Sequence, residues 1–184
     1  MSEPDPIRRV MTALAPRFPN ENHMEPDLER IQLLLDLLGS PQRNYPAIHL
    51  TGTNGKSSTA RIIDSLLRAF GVRPGRYTSP HLESPTERIT IDGHPIEAER
   101  FGEMYDELLP YIEMVDSRQP VPMTFFQVLT AMAFATVAAA PVALALLAVR
   151  LGGPVAAPNL VPAQTPRVPP APPAPVPLPA HPPA

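Results

Sequence analysis

The feature that most constrains this chain is a glycine loop set between a short apolar strand and an amphipathic helix. Ala47-Ile48-His49-Leu50 reads as the strand, and Gly52-Thr53-Asn54-Gly55-Lys56-Ser57-Ser58 follows almost at once. From Lys56 to Phe70 the spacing predicts a helix, with Ile63, Leu66, Leu67 and Phe70 on one side and Gly71 as its stop. A second strand, Val72 to Thr78, then leads into Ser79-Pro80-His81-Leu82. Strand, loop, helix, strand is the alternation that builds a parallel sheet covered by helices. The expected class is therefore α/β, a parallel sheet flanked by helices.

The loop also carries chemistry. Glycines at 52 and 55 remove side chains, so backbone N–H groups can come close to an anion. The helix that begins near Lys56 adds its positive dipole end and the unpaired amides of its first turn. Lys56 supplies a mobile full charge, and Ser57 and Ser58 offer hydroxyls for phosphate or magnesium. The general phosphate-loop pattern places four residues between its glycines, whereas this chain has two, with Leu50 where the first glycine would stand. A Gly/Asn turn ahead of an ordinary helix is the alternative reading. The strand before and the amphipathic helix after favour phosphate binding.

Elsewhere, Asp27 to Leu38 reads as a helix through Ile31, Leu34, Leu35 and Leu38. Arg88 to Ile91 alternates, and Asp92-Gly93 supplies a hairpin turn before His94-Pro95-Ile96. Glu97 to Val115 predicts an acidic helix with Phe101, Met104, Tyr105, Leu108 and Tyr111 facing inward. Val128 to Val149 lacks any charge and is long enough to span a bilayer. The favoured reading divides it at Pro141 into the end of a buried helix, Thr124 to Ala139, and a buried strand, Val142 to Val149. A membrane span is the alternative.

All 18 acidic residues lie at or before Asp116, and 13 of the 28 prolines fall between Pro154 and Ala184. Residues 1–153 are thus expected to form the folded domain and 154–184 a disordered Pro/Ala-rich tail. Net charge is -3, with no basic stripe interleaved with aromatics, which argues against nucleic acid as a partner. The absence of cysteine excludes disulfides, thiolate metal sites and a cysteine nucleophile. It fits a cytoplasmic protein, and Met1 to Val10 lacks the apolar core of a signal peptide.

Thr51-Gly52-Thr53-Asn54-Gly55-Lys56 resembles the ATP loop of the Mur ligase superfamily. Within it, Tyr77-Thr78-Ser79-Pro80-His81-Leu82, Glu87-Arg88-Ile89 and Ile91-Asp92-Gly93 resemble the folylpolyglutamate and dihydrofolate synthases. The similarity covers residues 25–161 and is strongest through Gly93. It implies an incomplete Mur-ligase central ATPase domain, a monomer, using ATP and Mg2+. The implied substrates are dihydropteroate or folate, and L-glutamate. ATP would phosphorylate a carboxylate, and the glutamate amine would displace phosphate from the acyl phosphate. Lys56 would act by neutralising charge.

By the same resemblance, Gly52 to Ser58 bind ATP and Ser79 ligates magnesium, a role that suits a hydroxyl at a strand end. Asp27 to Arg30 match a segment bordering the pterin, where Asp27 serves equally as a helix cap. Phe125 and Phe126 match an aromatic pair near that site, or belong to the core. His81 is a phosphate or substrate contact, or a structural hydrogen bond. Glu83, Glu87 and Arg88 are solvated surface, or part of a flexible substrate loop.

Departures from the family accumulate after Thr124. Phe125-Phe126-Gln127 stands where Phe-Phe-Glu is usual, and Ala148-Val149-Arg150-Leu151-Gly152-Gly153 stands where Glu-Val-Gly-Leu-Gly-Gly is expected. Ala148 thus takes the place of a magnesium-binding glutamate, and Arg150 would repel a cation. Leu151-Gly152-Gly153 and Asn159 keep the family spacing, which disfavours a simple frameshift near residue 140. These features predict a truncated, catalytically impaired copy. A non-catalytic nucleotide-binding module, with the proline tail as a recognition segment, is the second reading.

Overall fold

The computed structural model describes residues 5–18, 28–50, 54–148 and Leu160. Five strands form one sheet: β1 (Ala47–His49), β2 (Pro74–Thr78), β3 (Ile89–Ile91), β4 (His94–Pro95) and β5 (Leu144–Ala148). Their order is β1-β5-β2-β3-β4. Strands β1, β5 and β2 run parallel, whereas β2 pairs with β3 and β3 with β4 antiparallel. The sheet is therefore mixed, not wholly parallel as expected. Two connections cause this: residues 79–88 return the chain from β2 to β3, and Asp92-Gly93, with φ values of 54° and 80° that match a two-residue hairpin turn, joins β3 to β4. The 79–88 connection contains a 3-10 turn and no crossover helix, so β3 docks antiparallel on the free side of β2 and the hairpin adds β4 beyond it.

The helices are α1 (Pro6–Leu14), α2 (Glu29–Leu37), α3 (Lys56–Ala69), α4 (Ala98–Arg118) and α5 (Phe125–Ala139). Helix α1 went unread in the sequence. Its N-cap Asp5 accepts the Ile7 amide at 3.1 Å, and it is tied to α4 by a two-point Arg9–Asp106 ion pair at 2.6 and 2.7 Å. In α4 the buried stripe runs Phe101, Met104, Tyr105, Leu108, Ile112, Val115. Tyr111, expected to face inward, is 38% exposed, because the 3–4 spacing passes from Leu108 to Ile112.

The charge-free run divides as expected. Helix α5 ends at Ala139, ahead of Pro141, and β5 follows as a buried strand at the centre of the parallel part. Among the described residues no helix is long and apolar enough to cross a membrane.

Alternation along β2 sets the two faces of the sheet. A Cβ on Gly75 would touch the Val137 methyls, and the Tyr77 hydroxyl lies 3.2 Å from Thr130 Oγ1, so these residues face α5. Arg76 points the other way, its Nε 3.8 Å from the Asp64 carboxylate on α3. By register, Ala145 and Leu147 of β5 share the α5 face and Leu146 shares the α3 face. Helices α2 and α4 pack against α5 and α1 against α4, so the main core lies on that side. Helix α3 lies over the other face, and its buried line is Ala60 and Asp64. The apolar side predicted for α3 is largely not buried: Ile63 and Leu67 are half-covered, while Leu66 is 54% and Phe70 77% exposed.

Candidate phosphate and substrate site

Because β1, β5 and β2 are parallel, their C-terminal ends lie along one edge of the sheet. In open α/β sheets ligands bind outside that edge. Pairing continues one residue past β1, where the Leu50 amide donates to the Leu147 carbonyl at 2.8 Å. Gly52 and Thr53 lie outside the described residues. The chain is described again at Asn54 and Gly55, both exposed, and Gly55 is the N-cap of α3 with φ 76°. A side chain would be strained there, which is the physical reason for glycine at this position. The Thr59 amide closes the first helical bond onto the Gly55 carbonyl at 2.9 Å. Lys56 and Ser57 are half-buried and Ser58 is exposed in the first turn, whose amides precede the helical ladder. Loop residues 54–58 and the end of β1 thus have the form the sequence predicted.

The segment after β2 leaves the same edge. Thr78 lies opposite Ala148 in the sheet register, so Ser79 begins beside the end of β5, the strand adjoining β1. A 3-10 turn at Pro85–Arg88 then organises the segment. The Glu87 carboxylate accepts the amides of Leu82 (3.0 Å), Glu83 (3.0 Å) and Ser84 (2.9 Å). Amides of Leu82 and Ser84, with that of Glu83, hold the Glu87 carboxyl below the usual carboxylate range. Arg88 Nε donates to His81 Nδ1 at 2.7 Å. Desolvation, reinforced by the Arg88 charge, lowers the His81 pKa, in keeping with Nδ1 as an acceptor on a neutral ring.

Arg88 is only 5% exposed and its guanidinium lies over two rings, 5.6 Å from the centroid of Phe125 and 5.8 Å from that of Phe126. Phe125 is buried and stacks on Phe18 at 4.2 Å, and Phe126 meets it edge-on at 5.4 Å. Burial pulls the Arg88 guanidinium down in pKa, and among the described residues its Nη1 has no hydrogen-bond partner. His81, Phe125 and Phe126 are therefore brought together, and Arg88 joins them.

The chain that forms this edge, with a glycine-entered helix on one side and the Ser79 segment on the other, is similar to known proteins. No family model matches the chain. The dihydrofolate synthase/folylpolyglutamate synthase of Mycobacterium tuberculosis is 46% identical over 168 residues, 86% of this chain and 34% of that protein. This chain is a homologue of the folylpolyglutamate and dihydrofolate synthases over part of their length. The solved M. tuberculosis folylpolyglutamate synthase, complexed with ADP and AMPPCP, superposes with a TM-score of 0.73 at 48% identity, covering 80% of this chain and 32% of its own. A folylpolyglutamate synthase complexed with AMPPCP and folate gives 0.74 at 33% identity, over 83% and 37%. The chain thus spans about a third of the length of these relatives.

The remaining predicted site residues of this synthase homologue fall out unevenly. Asp27 lies outside the described residues. Arg30 is buried and donates to the main-chain carbonyls of Val121 (3.2 Å) and Pro122 (2.8 Å), which anchors the segment before α5. Gln127 serves as N3 of a capping box, accepting the Thr124 amide at 2.8 Å, so Gln in place of Glu preserves the start of α5. Ala148 ends β5 fully buried, between the strands that lead to the two loops. Arg150 and Asn159 lie outside the described residues.

Among the described residues no three His, Asp or Glu side chains group to hold a metal. Among the described residues, the oxygens near the edge include the hydroxyls of Ser57, Ser58 and Ser79. That donor set fits a magnesium ion delivered with a triphosphate, whose own oxygens and waters supply most ligands. It does not fit a cation held by protein groups alone. Sequence reasoning left Glu87 and Arg88 undecided and missed Phe18. One available signal was Ser84-Pro85-Thr86-Glu87, a capping-box pattern that the structure forms.

Proposed function

We propose that this chain binds the phosphates of ATP on residues 52–58 and descends from an ATP-dependent ligase that joins L-glutamate to dihydropteroate or folate. The observation that carries this reading is the juxtaposition at one sheet edge of the Gly55–Ser58 helix start and the Ser79 segment. ADP and AMPPCP in the M. tuberculosis relative, and folate in the other, support the nucleotide and the substrate class. Lys56 would neutralise the outer phosphates, and the first-turn amides of α3 would hold the inner ones. The hydroxyl of Ser79 would take a position on magnesium, which would supply charge neutralisation at the transferring phosphoryl group.

The same reading makes the chain a poor catalyst. Ala148 presents a methyl group where the resemblance places a metal-binding glutamate, and a methyl cannot coordinate a cation. Calorimetric titration of the full chain with AMPPCP and Mg2+ should show binding, weakened about tenfold or more in Lys56→Ala through loss of a charge-assisted phosphate contact. Incorporation of glutamate into dihydropteroate should stay at background. No AMPPCP binding would sink the phosphate site, and turnover by the unaltered chain would sink the claim of impairment. Ala148→Glu should strengthen the dependence of AMPPCP binding on Mg2+.

A further inference from the structure

We propose that Glu87 is the positioning residue of the Ser79–Ser84 loop, fixing through its carboxylate the segment that presents Ser79 and His81 at the phosphate edge. The inference rests on the phosphate site proposed above. Three consecutive amides, those of Leu82, Glu83 and Ser84, converge on this one side chain at 2.9–3.0 Å. A run of convergent amides is ordinarily an anion-binding nest, and here the chain supplies the anion itself. Both carboxylate oxygens are used: one accepts from Leu82, the other from Glu83 and Ser84.

The clamp is itself anchored. Glu87 belongs to the 3-10 turn capped by Ser84, and the next residue, Arg88, donates to His81 and lies buried over Phe125 and Phe126 of α5. Glu87 and Arg88 therefore hold the loop at two points, from amides at one end and from an imidazole near the middle. At the other end only Thr78, held in the sheet opposite Ala148, precedes Ser79. A loop pinned at its far end and its middle leaves Ser79 little freedom. Removing the carboxylate frees three amides together, while leaving α3 and its phosphate-binding turn untouched.

That asymmetry defines the test. The full chain, Glu87→Ala, Glu87→Gln, Ser79→Ala and the Ser79→Ala/Glu87→Ala pair are titrated with AMPPCP in Mg2+ and in EDTA. Glu87→Ala should lose about fivefold or more in affinity with Mg2+ and stay within about twofold in EDTA; the double variant should lose no more than Ser79→Ala alone. Glu87→Gln should fall between, since one of its terminal atoms is a donor that faces donors. Equal losses with and without Mg2+, additivity with Ser79→Ala, or no change would overturn the proposal.

A second readout does not need the nucleotide. Amide exchange and NMR on Glu87→Ala should show faster exchange at Leu82–Ser84 together with displaced signals for Ser79 and His81. Faster exchange at the three amides with Ser79 and His81 unmoved would overturn the positioning role. If the unaltered chain does not bind AMPPCP, the phosphate-site reading fails, and this second readout alone decides whether Glu87 positions the loop.

Discussion

The two faces of the sheet are built to different standards. On one side Gly75, Tyr77, Ala145 and Leu147 meet α5, behind which α2, α4 and α1 add further layers. On the other side lies α3, whose buried line is one alanine and one aspartate. Asp64 there faces Arg76 across the interface at 3.8 Å and pairs with Arg68 at 3.1 Å. The outward surface of α3 keeps Ile62, Leu66 and Phe70 in water, Ile62 at 61% exposure. Stability should therefore reside on the α5 face, and the α3 face should answer chiefly to ligand. A helix whose first turn is proposed to bind phosphate can take its position from the strand before it, without needing a dense core beneath it.

The largest effect should come from hollowing the dense face. Phe134 is 1% exposed in the core cluster, and its carbonyl accepts the Tyr45 hydroxyl at 3.3 Å. Phe134→Ala should cost about 3–5 kcal/mol, measured by urea unfolding. That is a large share of the roughly 5–15 kcal/mol typical of a domain. Phe134→Leu keeps most of the volume and serves if the alanine variant fails to fold. A cost below about 1 kcal/mol for Phe134→Ala would mean the two faces do not differ as described.

Overfilling the same face tests its tightness. A Cβ on Gly75 would stand 2.9 and 3.0 Å from the two Val137 methyls, and these belong to a β-branched side chain with little rotamer freedom. Gly75→Ala should cost about 1–3 kcal/mol. Adding Val137→Ala should recover part of that loss, because the second change removes the obstructing methyls. Independent, additive losses in that double variant would place the strain elsewhere.

The sequence made the elements of the edge legible, because their signals are local. The loop, the helix after it, the Asp92-Gly93 hairpin and the split of the charge-free run each rest on a few neighbouring residues. The mixed sheet was not legible as a whole, since nothing local says that the hairpin will add to β2. The exposure of the apolar side of α3 was not legible for the same reason. Periodicity identified an apolar side containing Leu66 and Phe70, but which side is covered depends on what else packs there. Arg88 was undecidable for a related reason: a cation beside Glu87 reads as surface until α5 brings two phenyl rings over it.

The smallest effect should fall on α3, and its smallness is informative. Leu66 is half in water, so replacing it removes little buried apolar area; glutamine is a comparable helix former and leaves the backbone preference unchanged. Leu66→Gln should change unfolding free energy by no more than about 0.5 kcal/mol, the range of surface substitutions. AMPPCP affinity should also hold, because Leu66 lies more than two turns along α3 from the proposed phosphate-binding end. A loss near 2 kcal/mol, comparable to burying a leucine side chain, would show that this stripe is covered in solution. The contrast between the faces would then belong to the isolated fold and not to the protein at work.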